Sequence, residues 1–179
     1  MIRIGYGIEK KGNKMCNDLQ NIENEQNKIV YSFVSHRRTI TETDIVNFVN
    51  LTGLHAPPFI DMDWVKKKMP GNHNKRFAPA PFLISLATGL VSTRLMDIEE
   101  ITKNENLGSF HGGVGIEAVL KEPAYPGDTL SVEFEASVDR KTKNGQTLFD
   151  FKHTMKNQQN KVVLIYTEKV LFDAPDKIK

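Results

Sequence analysis

The chain has 179 residues, of which 39% are hydrophobic and 26% charged, a composition typical of a soluble globular protein of one domain. The net charge of +2, with basic residues scattered among acidic ones, gives no argument for nucleic-acid binding. Cys16 is the only cysteine, which excludes an internal disulfide bond and favours a reducing compartment. Charged residues from Glu9 onward interrupt any signal-peptide core, so we expect a cytoplasmic protein.

Residues 1–28 differ in composition from the rest of the chain. Residues 10–28 are rich in Lys, Asn and Glu and poor in large apolar side chains. Such a segment cannot bury enough apolar surface to offset the entropy cost of ordering. We therefore expect a flexible or loosely docked extension over residues 1–28 and a single domain over residues 29–179. An arm that reaches a partner subunit is the alternative interpretation of the extension.

A strand and a helix are predicted at the start of the domain. Residues 29–40 carry β-branched and aromatic side chains and predict the strand. The helix is expected to begin after an N-cap at Thr41, to carry Asp44 in its first turn and to stop at Gly53. Its helical spacing predicts a buried face made of Ile45, Phe48, Val49 and Thr52.

A second, shorter helix is predicted over residues 61–69, ended by the Pro70-Gly71 pair. It contains three consecutive lysines at positions 66–68. A solvated face is the simpler interpretation of these lysines, and contact with an anionic ligand is the alternative.

Residues 77–93, FAPAPFLISLATGLVST, contain no charged side chain. The stretch is too short, and too rich in Pro, Ser and Thr, to suggest a membrane span, which needs roughly 20 apolar residues. A helix that is apolar on all sides belongs inside a fold. We therefore predict a buried helix that the other elements wrap, with Pro79 or Pro81 in its first turn.

The carboxy-terminal half predicts four antiparallel strands. Apolar residues alternate with polar ones from Leu130 to Val138, and the sequence Lys143-Asn144-Gly145 then favours a hairpin turn. Residues 149–155 and 162–172 continue as strands, and residues 110–121 form another whose glycines permit a bulge. Consecutive antiparallel strands with helices on one side indicate an α+β fold.

Three stretches resemble the MaoC-like acyl-CoA dehydratases and (R)-specific enoyl-CoA hydratases. RTITETDIVNFVNLTG (38–53) is similar to the family's first helix, and APFLISLATGL (80–90) to its central helix. EPAYPGDTLSVEFE (122–135) is similar to the family's P-x-x-P-G-D-T-L turn and the long strand that follows. The resemblance implies the hot-dog fold, in which an antiparallel sheet wraps around one long helix.

The family's catalytic motif, T-G-D-x-N-P-x-H-x-D, corresponds to TGLHAPPFID, residues 52–61 of this chain. In the family, the Asp and His of this motif activate a water that adds across an enoyl thioester, which needs one group to take a proton and another to give one. Leu54 stands here at the catalytic Asp position and Phe59 at the catalytic His position. Neither side chain can transfer a proton, so the resemblance implies an altered active site.

His55, beside the Asp position, is the predicted replacement, with Asp61 or Asp63 as its partner. The alternative is a loop histidine without a catalytic role. His111 and His153 lie on predicted strands, where a lone histidine is more often structural. The histidines show no metal-ligand spacing, so we expect no metal and no other cofactor.

Substrate binding is expected at the start of the central helix. The resemblance implies that a backbone N–H there donates to the thioester carbonyl, as the free N–H groups of a first turn allow. Pro81 has no N–H, so Ala80 or Phe82 is the expected donor. Leu54 and Phe59 would make the pocket apolar, either to bind an acyl chain or simply to fill the space.

The expected function is that of a MaoC-like acyl-CoA hydratase or dehydratase, a lyase, with an altered active site. The alternative is a non-catalytic acyl-thioester-binding or structural subunit of a heteromeric dehydratase. An acyl-CoA thioesterase is less well supported, because residues 77–93 contain no acid. The expected partners are an acyl-CoA or another acyl thioester and a second hot-dog subunit, identical or not, since the family pairs exposed sheet edges. Neither nucleic acid nor a membrane is expected.

Overall fold

The structure is a computed structural model that describes residues 28–69, 71 and 75–174. The predicted extension therefore lies outside the described residues, apart from Lys28. Within them, the chain forms six strands and five helices, and the predicted α+β class is confirmed.

Helix α1, Glu42–Thr52, begins and ends where the sequence predicts. The Thr41 hydroxyl accepts from the Asp44 backbone N–H at 3.1 Å, and the Asp44 carboxylate accepts from the Thr41 N–H at 2.8 Å. These two bonds satisfy donors that a helix start leaves free. Gly53 ends the helix in the left-handed conformation, with φ of 67°. Ile45 and Val49 are buried as predicted, but Thr52 is exposed, and its hydroxyl donates to the Phe48 carbonyl.

Two short helices follow α1. Helix α2, Pro57–Ile60, is a single turn that the sequence analysis did not predict, and its two prolines occupy the positions where a missing N–H costs nothing. Helix α3, Met62–Lys68, confirms the second predicted helix, and Asp61 is its N-cap. The three lysines of α3 are exposed, and Lys66 lies 3.5 Å from Asp63.

The predicted central helix is α4, Ala80–Val91, and it is buried on one side only. Pro81, Ser85, Thr88 and Gly89 are exposed, so the prediction of a helix wrapped on all sides is wrong for the single chain. Its sequence fits this arrangement, since the exposed residues are small or polar. The buried residues, which pack over the sheet, are Phe82, Leu83, Leu86, Ala87, Leu90 and Val91.

A further helix, α5, Leu95–Asn104, continues from α4 through a short 3₁₀ turn and was not predicted. By length and composition alone, the described run Ala80–Asn104 could cross a membrane, although the core helix of a soluble protein passes the same test. The sequence argument concerned residues 77–93 alone, and the longer run arises because α5 continues from α4. Packing still favours a core role, because the apolar side of α4 joins the hydrophobic core.

The described strands form one antiparallel sheet in the order β1-β4-β5-β6-β3, with β2 also paired to β4. The strands are β1 Ile29–Val34, β2 Arg38–Thr39, β3 Phe110–Leu120, β4 Thr129–Lys141, β5 Thr147–Lys156 and β6 Val162–Phe172. The period of two in β4 is confirmed, since alternate residues from Leu130 to Val138 are buried. The hairpin between β4 and β5 closes at Gly145, where φ is 79°.

The predicted first strand is interrupted. Residues 35–37 separate β1 from β2, and Ser35 bridges the gap. Its N–H donates to the Val132 carbonyl at 2.8 Å, and its hydroxyl accepts from the Val132 N–H at 2.9 Å. The side chain thereby replaces one main-chain acceptor at this edge of the sheet.

Strand β3 forms the opposite edge and carries exposed apolar side chains. The exposed fractions are 59% for Val114, 61% for Ile116, 51% for Val119 and 52% for Leu120. The predicted bulges are confirmed by register shifts on either side of Gly112 and Gly113. One described face of the sheet is thus covered by α4, whereas the β3 edge has no neighbouring strand among the described residues.

Candidate functional site

An apolar cavity of about 410 Å³ lies at the start of α4. One wall comes from the loop after α1, a second from the first turn of α4, and a third from the end of β3 and the residues after it. The charged residues in its described lining are Lys121 and Glu122. The lining consists of Leu54, Phe59, Phe77, Ala78, Ala80, Pro81, Leu83, Leu120, Lys121, Glu122 and Pro123.

Phe59 is held in the cavity wall by contacts from the segment that precedes α4. Its ring packs edge to face on Phe77, with 5.3 Å between the ring centres. Its carbonyl accepts from Arg76 Nη1 at 2.7 Å, and Arg76 Nε lies 2.6 Å from the Glu42 carboxylate at the start of α1. Arg76 therefore ties α2 and α1 together behind the cavity, an arrangement that a planar, multidentate guanidinium is suited to make.

The structure brings three of the predicted site residues together. Leu54, Phe59 and Ala80 line the cavity, although they come from separate parts of the chain. Phe82 is not in the described lining; it is buried, and its ring contacts Phe48 at a centre-to-centre distance of 5.6 Å.

His55 and Asp61 do not line the cavity. His55 is exposed, and its backbone N–H donates to the Gly53 carbonyl. The Asp61 carboxylate caps α3 by accepting from the Trp64 N–H at 2.9 Å. A carboxylate at a helix start is stabilised there by the helix dipole. The catalytic role of these two residues stays a prediction.

Lys121 and Glu122 are cavity residues that the sequence analysis missed. They follow β3 directly, and the Lys121 N–H donates to the Val163 carbonyl at 2.9 Å. This bond extends the pairing of β3 with β6 by one residue, and both residues line the cavity. In the sequence, the one sign of a functional role was their charge at the end of a predicted strand. The pairing of β3 with β6 is what places them near the start of α4.

The start of α4 leaves few N–H groups for a ligand. Pro81 cannot donate, and the Ala78 N–H is used by the Ala124 carbonyl at 2.8 Å. The Leu83 N–H donates to the Pro79 carbonyl. Ala80 and Phe82 keep the N–H groups that a first helical turn does not pair internally. The predicted donors are therefore compatible with the geometry of this turn.

The two strand histidines lie outside the cavity lining. His153 is 2% exposed, donates from Nδ1 to the Phe151 carbonyl at 3.0 Å and stacks on Tyr166. Burial lowers the pKa of His153 to about 4, because removing water disfavours the charged ring, and it outweighs backbone hydrogen bonds at Phe151 and Tyr166 that act in the opposite direction. His111 is exposed and lies beside Asp173. In the described part of the chain, no three His, Cys, Asp or Glu residues are grouped to hold a metal ion.

Solved structures resemble this fold over most of its length. A monoamine oxidase regulatory protein from Archaeoglobus fulgidus aligns with a TM-score of 0.65 and 24% identity over 82% of this chain and 91% of its own. A MaoC-like dehydratase from Rhodospirillum rubrum aligns with a TM-score of 0.60 and 18% identity over 83% and 92%. The HadBC (3R)-hydroxyacyl-ACP dehydratase complex of Mycobacterium tuberculosis aligns with a TM-score of 0.60 and 15% identity over 81% and 98%.

At these identities the similarity establishes the fold, which is the predicted hot-dog fold. No curated protein sequence matches the chain. The sequence profile described as "FAS1-like, dehydratase domain region" matches residues 27–166, more than half of the chain. The chain therefore belongs to the FAS1-like dehydratase-region family of MaoC-like hot-dog proteins.

Proposed function

We propose that the protein is a MaoC-like homologue of the acyl-CoA hydratases and dehydratases that binds acyl thioesters in an altered active site. The observation that carries the proposal is the apolar cavity at the start of α4, with Leu54 and Phe59 in its wall. These residues stand where the family's motif has its proton-transferring Asp and His. An apolar wall suits an acyl chain, and burying apolar surface supplies the main free energy of binding.

The thioester end of the ligand belongs at the first turn of α4 in this proposal. A carbonyl oxygen placed there meets the positive end of the helix dipole and the N–H groups of Ala80 and Phe82. Leu54 and Phe59 contact the acyl chain on the side where the family activates water. In this proposal the chain keeps the family's ability to bind an acyl thioester and has lost hydration by the usual Asp and His dyad.

Hydration by other groups is the second candidate function. The observation in its favour is Glu122, a carboxylate in the cavity lining that could take a proton from water. The other source of proton transfer is the predicted pair of His55 and Asp61, which would have to turn towards the cavity. We rank this candidate second because Lys121 and Glu122 are the titratable side chains in the described lining, and neither stands at the family's Asp or His position.

Titration with octanoyl-CoA tests the binding proposal. We expect saturable binding that weakens about tenfold in Leu54→Gln, since a polar group in the cavity removes roughly 1.5 kcal/mol of apolar burial. Leu51→Gln is the matched control: Leu51 is 85% exposed on α1, so its replacement should leave the affinity unchanged. The absence of saturable binding in the unaltered protein would refute the proposal.

An enoyl-CoA hydration assay separates the two candidates. Binding without turnover supports the non-catalytic interpretation. Turnover that disappears in His55→Ala supports the predicted pair of His55 and Asp61, and turnover that persists there but disappears in Glu122→Gln supports Glu122 as the base. Either form of turnover would favour the second candidate, hydration by other groups, over binding alone.

We further propose that the chain works as a subunit of a dimer or larger assembly in the cytoplasm. The apolar edge strand β3 supports pairing with a second copy or with another hot-dog subunit. The HadBC and ChsH1–ChsH2 complexes show that similar folds assemble from two different subunits. A heteromer would let a partner with an intact Asp and His supply the chemistry that Leu54 and Phe59 cannot.

A further inference from the structure

A second apolar cavity, of about 230 Å³, lies between α5 and the sheet. This α5 cavity shares no lining residue with the cavity at the start of α4. Its rim carries Met96 and Phe110, which are 74% and 56% exposed, whereas Phe151 and Phe172 at its floor are almost fully buried. Exposed apolar side chains around a cavity are typical of a surface that binds another group. The lining consists of Leu95, Met96, Ile98, Glu99, Phe110, Phe151 and Phe172.

The size and polarity of the α5 cavity favour apolar side chains as its occupant. Its volume is below the roughly 300–1,000 Å³ that is typical of pockets for small molecules. Glu99, the one polar residue in the described lining, already accepts from the Phe110 N–H at 3.2 Å and pairs with Lys103 at 3.0 Å. An apolar occupant would therefore cover this carboxylate without depriving it of a partner, which keeps the desolvation cost low.

Apolar side chains of this kind recur at the amino terminus of the chain. In the sequence MIRIGYGI (1–8), every second residue from position 2 to position 8 is isoleucine or tyrosine. A period of two places these four side chains on one side of an extended segment. The family profile starts at residue 27, so this segment lies outside the shared domain.

The described chain begins close to α5. Lys28 Nζ lies 2.6 Å from the carboxylate of Glu105, the residue that follows α5. The ten residues of α5 span about 15 Å. Residues 9–27 can bridge roughly 60 Å at full extension. Residues 1–8 can therefore reach the α5 cavity of their own chain.

Charge favours the same contact. Helix α5 contains three acidic residues and one basic residue. Residues 1–14 contain four basic residues and one acidic residue, so the two segments attract each other. The α5 helix of a second copy would carry the same acidic residues and be repelled, which makes a second copy the less favourable occupant.

We propose that residues 1–8 dock on the α5 cavity of their own chain, with their isoleucine and tyrosine side chains against Met96 and Phe110. The contact covers the exposed apolar rim and fastens the amino terminus to the domain. It does not depend on acyl-thioester binding, because the α5 cavity and the cavity at the start of α4 have no residue in common.

Disulfide trapping in the full chain tests this contact. In a Cys16→Ser background, Ile4→Cys and Met96→Cys should form an intrachain disulfide on mild oxidation, because docking brings the two Cα atoms within about 7 Å of each other. Ile4→Cys with Leu51→Cys is the matched control, since Leu51 is 85% exposed on α1, and its yield should be about fivefold lower or less. Equal yields for the two pairs would overturn the proposal. Disulfide-linked dimers of the Met96 pair would overturn the assignment to the same chain.

Amide hydrogen exchange gives a second test that needs no added cysteine. Ile4→Asn should raise the exchange rate of residues 95–104 about tenfold, because it weakens the apolar contact that covers α5. Ile22→Asn is the matched control: it makes the same substitution outside residues 1–8 and should leave that rate unchanged. An unchanged rate in Ile4→Asn would refute the docking, and an equal rise in both variants would refute the choice of residues 1–8.

Discussion

His153 lies in the core under α4, between the rings of Phe134 and Tyr166. Burial lowers its pKa to about 4 from the ordinary value of 6.5, so the unfolded chain binds a proton at a higher pH than the folded one. The stability that the neutral ring contributes is complete above pH 6.5 and is lost as the pH falls towards 4. At this site, acid therefore favours unfolding.

We predict that the free energy of unfolding decreases by roughly 3 kcal/mol through this one group between those two pH values. Urea titrations at several pH values measure the decrease. The variant His153→Phe keeps an aromatic ring beside Tyr166 and has no proton to gain, so its stability should depend less steeply on pH in this interval. Equal slopes for the two proteins would show that His153 does not control the acid sensitivity.

The cavity residues show what short motifs can and cannot predict. Leu54 and Phe59 were expected in one pocket because both belong to a ten-residue motif, and the structure places both in the cavity wall. Lys121 and Glu122 lie more than sixty positions further along the chain, and strand pairing alone brings them there. Contacts of that range depend on the register of the whole sheet, which no local pattern contains.

At the scale of single elements, helix α1 depends on a reciprocal cap. We predict that Thr41→Ala lowers the free energy of unfolding by about 1 kcal/mol, because the Asp44 N–H loses the hydroxyl acceptor. Thr43→Ala is the control, since Thr43 is exposed within the helix and alanine has the higher helix propensity. Urea midpoints of both variants measure the difference, and similar losses would argue against the cap.

The elements that were easiest to predict are those whose first and last residues are set by nearby side chains, such as helix caps. Thr41 and Asp44 mark the start of α1 and Gly53 marks its end, each through contacts within a few residues. Helix α5 was missed because long-range contacts hold it: Tyr31 of β1 donates to Asp97 at 2.9 Å, and Lys28 lies 2.6 Å from Glu105. Arg94 completes this link by donating to the Tyr31 hydroxyl at 2.9 Å. Such contacts become visible only once the sheet is assembled.

At the scale of the whole molecule, the β3 edge governs the proposed assembly. We predict that light scattering at micromolar concentration gives at least twice the mass of one chain. Ile116→Lys should shift the protein towards the monomer, because it places a charge on an apolar strand edge at a residue that is 61% exposed in the single chain. Leu51→Lys, on the exposed side of α1, should not change the mass. A monomeric unaltered protein would contradict the prediction.

The interruption at Ser35 has a consequence for how far such an assembly can grow. The outer strand β1 has six residues, a register shift between Ile29 and Tyr31 and a break before β2. Short and irregular edges of this kind resist the addition of a further strand. If two copies join through β3, the described strands leave these blunt edges facing outward, which favours a closed association over a fibre. The Ser35 hydroxyl, which bridges the break between β1 and β2, therefore contributes to an edge that resists further strand pairing.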